Sequence, residues 1–190
     1  MNDPLRIPVL VGSVRRGRQS IRVARFASDR LGRAGADAPL LDLAEFDLPI
    51  MEERLHRRDD PPPGLVPFSE AIRGADAVVV VSPEYNGSIP GVLKNALDYI
   101  YGEWDRKPVG VVTLSAGAFG GIQVHYLLQL LFLRLKALPV AHMAVTHVAR
   151  SFDAGGEPRE ERYEKAFARF VDTLSWYARA IGAALDAEQA

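Results

Sequence analysis

Residues 9–20, VLVGSVRRGRQS, bring together side chains that could hold an anion. An apolar run ends at Gly12. Ser13 and Ser20 then supply hydroxyls, and Arg15, Arg16 and Arg18 put three permanent cations into four positions. A helix starting near Gln19 would leave its first backbone N–H groups without intrahelical partners, aimed at whatever sits in the turn. A charge-assisted hydrogen bond contributes roughly 1.5–3 kcal/mol, so two or three would hold a phosphate monoester. The competing reading of the same residues is a solvated arginine cluster.

The known phosphate loops narrow the chemistry. Gly12-x4-Gly17 fits the frame of the nucleotide P-loop, but Arg18 and Gln19 stand where that loop needs its lysine and its magnesium-binding hydroxyl. Val14 breaks the dinucleotide pattern G-x-G-x-x-G. A turn rich in hydroxyls and arginines remains, suited to a terminal phosphate without a metal.

A second chemical stretch follows the run AVVVVS: residues 83–100, PEYNGSIPGVLKNALDYI. Pro83 ends a strand, Tyr85, Asn86 and Gly87 form a turn with an aromatic ring and an amide at its rim, and Pro90 suits the first turn of a helix. Glu84 tempts a general-acid reading; a carboxylate at a loop rim, bound to backbone or solvent, is the simpler one. A third glycine-rich stretch, LSAGAFGG at 114–121, permits close backbone approach.

The elements that must position these turns are legible as two alternating periods. Short β-branched runs cover 6–12, 38–43, 76–82, 108–115 and 139–148, and helical spacing covers roughly 18–33, 65–74, 90–101, 121–137 and 158–185. Strands alternating with helices predict one parallel sheet covered on both faces, and nearly continuous apolar strands fit double-sided burial. The charged and proline-rich segment 51–64 reads as an exposed loop within a single domain spanning 1–190, and the final DAEQA as a frayed end. In a sheet ordered 2-1-3-4-5, strands one and three flank the point where strand order reverses, and ligands sit beyond their carboxyl ends. The first and second turns would then face one ligand, with a phosphate at one end and a flat polar ring at the other.

Together, GSVRRGRQS, SPEYNGSIPGVLKNALDYI and LSAGAFGG resemble the NADPH-dependent FMN reductases, relatives of the flavodoxin-like quinone and azo reductases. The resemblance runs from Val9 to about Thr146. It implies a flavodoxin-like three-layer α/β sandwich, FMN as cofactor and NADPH or NADH as electron donor. It implies Ser13, Arg15, Arg18, Gln19 and Ser20 around the FMN phosphate, and Pro83, Glu84, Tyr85, Asn86 and Gly87 along the isoalloxazine ring. Ser115, Gly117 and Ala118 would flank the flavin from the other side. Backbone N–H groups there would stabilise negative charge as the ring gains electrons. Many members carry serine where Arg18 stands and asparagine where Ser20 stands. No catalytic side chain is implied, since hydride transfer to a flavin requires no protein acid or base.

The expected activity is NAD(P)H-dependent reduction of a quinone, flavin, azo compound or similar small-molecule acceptor by a ping-pong mechanism. A non-catalytic flavin electron carrier or redox sensor is the second reading, and the basic phosphate turn favours the reductase over it. A metal-dependent phosphotransferase is the third. Thr113 stands where a hydrolase elbow around Ser115 would need glycine. The absence of cysteine removes thiolate chemistry and fits a cytoplasmic location, as does the lack of a signal peptide. His56, His125, His142 and His147 lack metal-ligand spacing, and His142, in an apolar strand, reads as a satisfied core residue. Lys94 and Asp98 read as an intrahelical pair. The net charge of −1 argues against nucleic-acid and membrane partners. The helix at 124–138, VHYLLQLLFLRLKAL, is apolar around most of its circumference. A surface helix needs only a stripe somewhat over 100° wide, so a homodimer or homotetramer is expected, with Leu131 and Phe132 as probes of the contact.

Overall fold

A computed structural model describes residues 3–189. Its centre is one five-stranded parallel sheet made of β1 (Val9–Val11), β2 (Leu40–Asp42), β3 (Val78–Pro83), β4 (Pro108–Leu114) and β5 (Leu138–Val145), in the order β2-β1-β3-β4-β5. The main helices are α1 (Ser20–Arg33), α3 (Leu65–Arg73), α4 (Gly91–Tyr99), α5 (Ile122–Arg134) and α7 (Glu161–Gln189). Two single turns, α2 (Leu43–Phe46) and α6 (Val148–Ser151), follow β2 and β5.

The layering follows from handedness. A parallel crossover is right-handed, so the direction in which the next strand is added decides which face its helix covers. The chain steps one way from β1 to β2 and the other way from β2 onward. Helix α1 therefore lies on one face and α3, α4 and α5 on the other, and α7 returns to the face of α1. Alternate residues of β3 serve the two cores. Val79 and Val81 join Phe26 and Leu31 of α1 and Phe167 and Leu174 of α7. Val78 and Val80 join Phe68, Leu97, Leu128 and Phe132. This double service is why the strand sequences show no polar alternation. Gly110 has a steric reason: a Cβ there would lie 2.3 Å from the Phe170 ring, so the glycine is what lets α7 seat on β4.

Several element ends differ from the sequence reading. The first strand is paired only over three residues, although Arg6 forms an isolated bridge to Asp37. The loop 51–64 contains a single 3-10 turn at Leu55–Arg57. The C-terminal helix continues to Gln189 where a frayed end was expected, and Ala190 lies outside the described residues. His142 is not a core residue. It is half-buried on β5, its ring stacks on His125 with centroids 3.5 Å apart, and its Nε2 lies 3.1 Å from Thr113 Oγ1. The edge strand β5 leaves room beside α5 that a central strand would not. The Lys94–Asp98 pair is present on α4 as an i,i+4 ion pair. Among the described residues no helix is long and apolar enough to cross a membrane.

Candidate active site

Strand order reverses between β1 and β3, and the three neighbouring strands β1, β3 and β4 end at one depression. Arg15, Gly17, Arg18 and Gln19 from the β1–α1 turn line it, with Pro83, Glu84 and Tyr85 after β3, Leu114, Ser115 and Ala116 after β4, and Val148 at the start of α6. Its volume is about 150 Å³. Cavities of about 500–560 Å³ lie elsewhere on the surface, at the opposite ends of strands or along α5 and α7. The smaller depression is the candidate site because unsatisfied polar groups converge there, which size alone does not measure.

The first turn is shaped by Gly17, whose φ of +70° bends the chain into α1. No side chain caps α1, and no acidic residue occupies its first turn. Its leading N–H groups and dipole are therefore available to an anion. Arg15 is exposed, with its guanidinium 5.8 Å from the centre of the Tyr85 ring. Arg16 is also exposed but does not line the depression, so the three arginines divide as two at the site and one in water. Arg18 is largely buried and forms an ion pair with Asp42 at the end of β2. Asp42 also accepts a hydrogen bond from Ala44 N–H and so caps α2.

Ser13 has a different task from the one its position suggests. Its Oγ lies 2.7 Å from the Tyr85 hydroxyl and accepts from the Arg15 N–H at 3.3 Å, which ties the first turn to the second. The second turn is a two-residue hairpin. Tyr85 and Ser88 exchange backbone hydrogen bonds of 3.1 and 3.0 Å, while Asn86 and Gly87 adopt φ of 52° and 73°. Two successive positive φ values define the type I′ turn, which Asn-Gly favours. A Cβ on Gly87 would come within 2.6 Å of Gln123 Oε1, so the hairpin leans on the start of α5. In the third turn, Ser115 Oγ donates to the Gly117 carbonyl at 3.1 Å, and that carbonyl also accepts from His147 N–H.

Of the thirteen residues singled out, Arg15, Arg18, Gln19, Pro83, Glu84, Tyr85 and Ser115 line the depression. Ser13 and Ser20 are buried, and Asn86, Gly87, Gly117 and Ala118 belong to its loops without lining it. Sequence reasoning missed Ala116, Leu114 and Val148, whose side chains carry no chemical signal, and Asp42. Asp42 could have been found, because it ends a strand on the carboxyl side of the sheet, where such folds collect site residues.

Four buried polar atoms at this place have no partner: Arg18 Nε, Gln19 Oε1, Ser20 Oγ and Glu84 Oε2. Buried polar groups are normally satisfied, so a cluster of orphans signals a ligand with both acceptors and donors. A phosphorylated polyol carrying a polar ring has both, and FMN fits that description. The five-stranded order with a depression at the switch point is the flavodoxin-like fold, and the polar groups lining that depression fit FMN.

The sequence matches the NADPH-dependent FMN reductase profile over residues 5–149, and the chain belongs to that family. It is 32% identical to a quinone reductase of Pseudomonas putida, over 93% of this chain and 96% of that one. It is 31% identical to a 2-hydroxy-1,4-benzoquinone reductase of a Burkholderia species, over 92% and 97%. Among solved structures it superposes on the flavoenzyme NAD(P)H:(acceptor) oxidoreductase FerB from Paracoccus denitrificans with a TM-score of 0.75 and 26% identity, covering 93% of this chain and 98% of that one. The chain is thus an oxidoreductase that uses FMN and a nicotinamide nucleotide.

Proposed function

We propose that this protein reduces a quinone or a similar small-molecule acceptor at the expense of NAD(P)H, in a ping-pong cycle at the depression beyond β1, β3 and β4. The observation that carries the reading is the convergence of two arginines and four unpartnered polar atoms at the switch point. The quinone reductases to which the chain is similar support the choice of acceptor.

Each turn has a role in this account. Arg15, the free Nε–H of Arg18, Ser20 Oγ and the first N–H groups of α1 hold the phosphate. Gln19 Oε1 accepts from a hydroxyl of the ribityl chain. The Ser13–Tyr85 bond keeps the phosphate turn and the ring turn at a fixed separation, so orientation is set before substrate arrives. Residues 83–87 and 115–117 offer backbone to the ring, with Asn86 and Gly87 acting through the hairpin and Gly117 through its bond to His147. FMN, held by these residues, would supply the two-electron chemistry that couples oxidation of the nicotinamide to reduction of the acceptor. Both substrates would use this one cleft in turn, the oxidised nicotinamide leaving before the acceptor enters.

The assembly is proposed to be a homodimer, or a homotetramer built from two, in the cytoplasm. The supporting face is α5 with β5 and α7. Tyr126, Leu130 and Leu133 are 59%, 68% and 59% exposed, and with Pro139, Val140 and Tyr177 they border a groove of about 500 Å³. Such a patch in water marks a partner surface, and a two-fold contact buries it most simply. On the same helix, α5, Phe132 is fully buried, its ring 5.2 Å from that of Trp104, and Leu131 is half-buried, so neither is a clean probe of the contact.

Titrating apoprotein with FMN and with riboflavin tests the site. FMN should bind at least tenfold more tightly, through its phosphate; equal affinity would show that the arginine turn holds no phosphate.

A further inference from the structure

Glu84 is half-buried, and one of its two carboxylate oxygens lacks the backbone or solvent partner that a loop-rim carboxylate would have. Its Oε2 is buried and unpartnered, bound to neither backbone nor side chain. Its main chain is fixed, with the Glu84 N–H donating to the Leu114 carbonyl at 3.1 Å across the ends of β3 and β4. Neither arginine lining the depression pairs with Glu84: Arg18 pairs with Asp42, and the Arg15 guanidinium lies 5.8 Å from the centre of the Tyr85 ring. No ion pair to Glu84 forms among the described residues. A buried carboxylate oxygen without a donor is destabilising unless a ligand supplies one.

We propose that the Glu84 side chain sets the reduction potential of the bound flavin, by accepting a hydrogen bond from a flavin N–H or hydroxyl and so placing its negative charge beside the ring. The proposal rests on FMN occupying this site. Reduction by NAD(P)H delivers a hydride, which is one proton and two electrons, and leaves NAD(P)⁺. Until a second proton is taken from solvent, the flavin carries one more negative charge than before. The Glu84 carboxylate opposes that charge in a partly water-excluded site, where Coulomb terms are strong. The arginines and backbone N–H groups favour it. Glu84 thus counterweights the cationic turn and keeps the reduced cofactor a strong donor to the acceptor.

The test is Glu84→Gln in the full chain, with the potential of bound FMN measured against a reference dye and FMN affinity measured in both redox states. Gln keeps an acceptor oxygen and removes the charge. The expected result is oxidised FMN bound within about threefold of wild type and reduced FMN bound about tenfold more tightly, a rise of about 30 mV in midpoint potential. Glu84→Asp, which keeps the charge, should stay closer to the wild-type potential than Gln does; it also serves as the test should the Gln variant fail to fold. A Gln variant with an unchanged or lower potential, or an Asp variant displaced upward as far as Gln, would overturn the assignment. If wild-type protein binds no FMN, the cofactor reading beneath the proposal fails instead, which the same titration reveals.

Discussion

Arg15 is the residue on which cofactor affinity should depend most simply. It is exposed, carries no ion pair among the described residues, and stands at the anion turn. Arg15→Ala should weaken FMN binding by one to two orders of magnitude, roughly 1.5–3 kcal/mol for a lost charge-assisted bond, and leave riboflavin binding unchanged. Fluorescence titration of the two ligands reads both effects. Away from the site, His142 makes a pH-dependent contribution. Burial first, and the adjacent His125 second, lower its pKa from 6.5 to about 4. The unfolded chain therefore binds a proton that the folded chain refuses between those values. Stability from this residue is full above about pH 6.5 and is lost as pH falls toward 4. His142→Gln should flatten the fall in melting temperature across that window; an unchanged slope would show that the stacked pair does not control it. At this scale the sequence revealed residue types but not their partners. Arg15 and Glu84, singled out by their chemistry, both line the depression. The bonds of Ser13 to Tyr85 and of Arg18 to Asp42 join positions 72 and 24 apart in the chain, and only the folded sheet brings them together.

At the scale of elements, the second turn and the fifth helix carry the most consequence. Asn-Gly after a strand is a strong local signal, and the hairpin at Tyr85–Ser88 obeys it. Gly87→Val should strain the positive φ and drive a side chain into Gln123, so the variant should bind FMN more weakly even when it melts within a few degrees of wild type. Helix α5 was legible as too apolar for an ordinary surface helix, yet its orientation was not. Which leucines turn outward depends on where Trp104 and β4 sit beneath it. Leu130→Glu together with Leu133→Glu should shift the protein to 20.8 kDa by light scattering at micromolar concentration, whereas wild type should show at least twice that mass. A monomeric wild type would refute the proposed assembly. Phe132→Ala belongs to a different class: it opens a cavity against Trp104 and should cost about 3–5 kcal/mol of stability.

For the whole molecule, the parallel sheet covered on both faces was readable because it needs few inputs, whereas the order 2-1-3-4-5 rested on the flavodoxin-like resemblance. Apolar runs at regular spacing with helices between them leave little choice beyond a parallel doubly wound sheet, and right-handed crossovers fix the layers. Element ends were less legible because pairing, not propensity, sets them: β1 stops at Val11 since its ladders to β2 and β3 end there. The architecture brings three loops, after β1, β3 and β4, to a single cleft, and the proposed cycle there has two separate half-reactions. Initial rates against NAD(P)H at several quinone concentrations should give parallel double-reciprocal lines; intersecting lines would require both substrates to be bound together. The most direct test of the central claim is anaerobic addition of NADPH or NADH to the purified protein while its absorption spectrum is recorded. The expected result is a bound FMN spectrum, bleached by about one equivalent of at least one of the two nucleotides and restored by a quinone. Protein that takes up no FMN, or bound FMN that neither nucleotide bleaches, would contradict it.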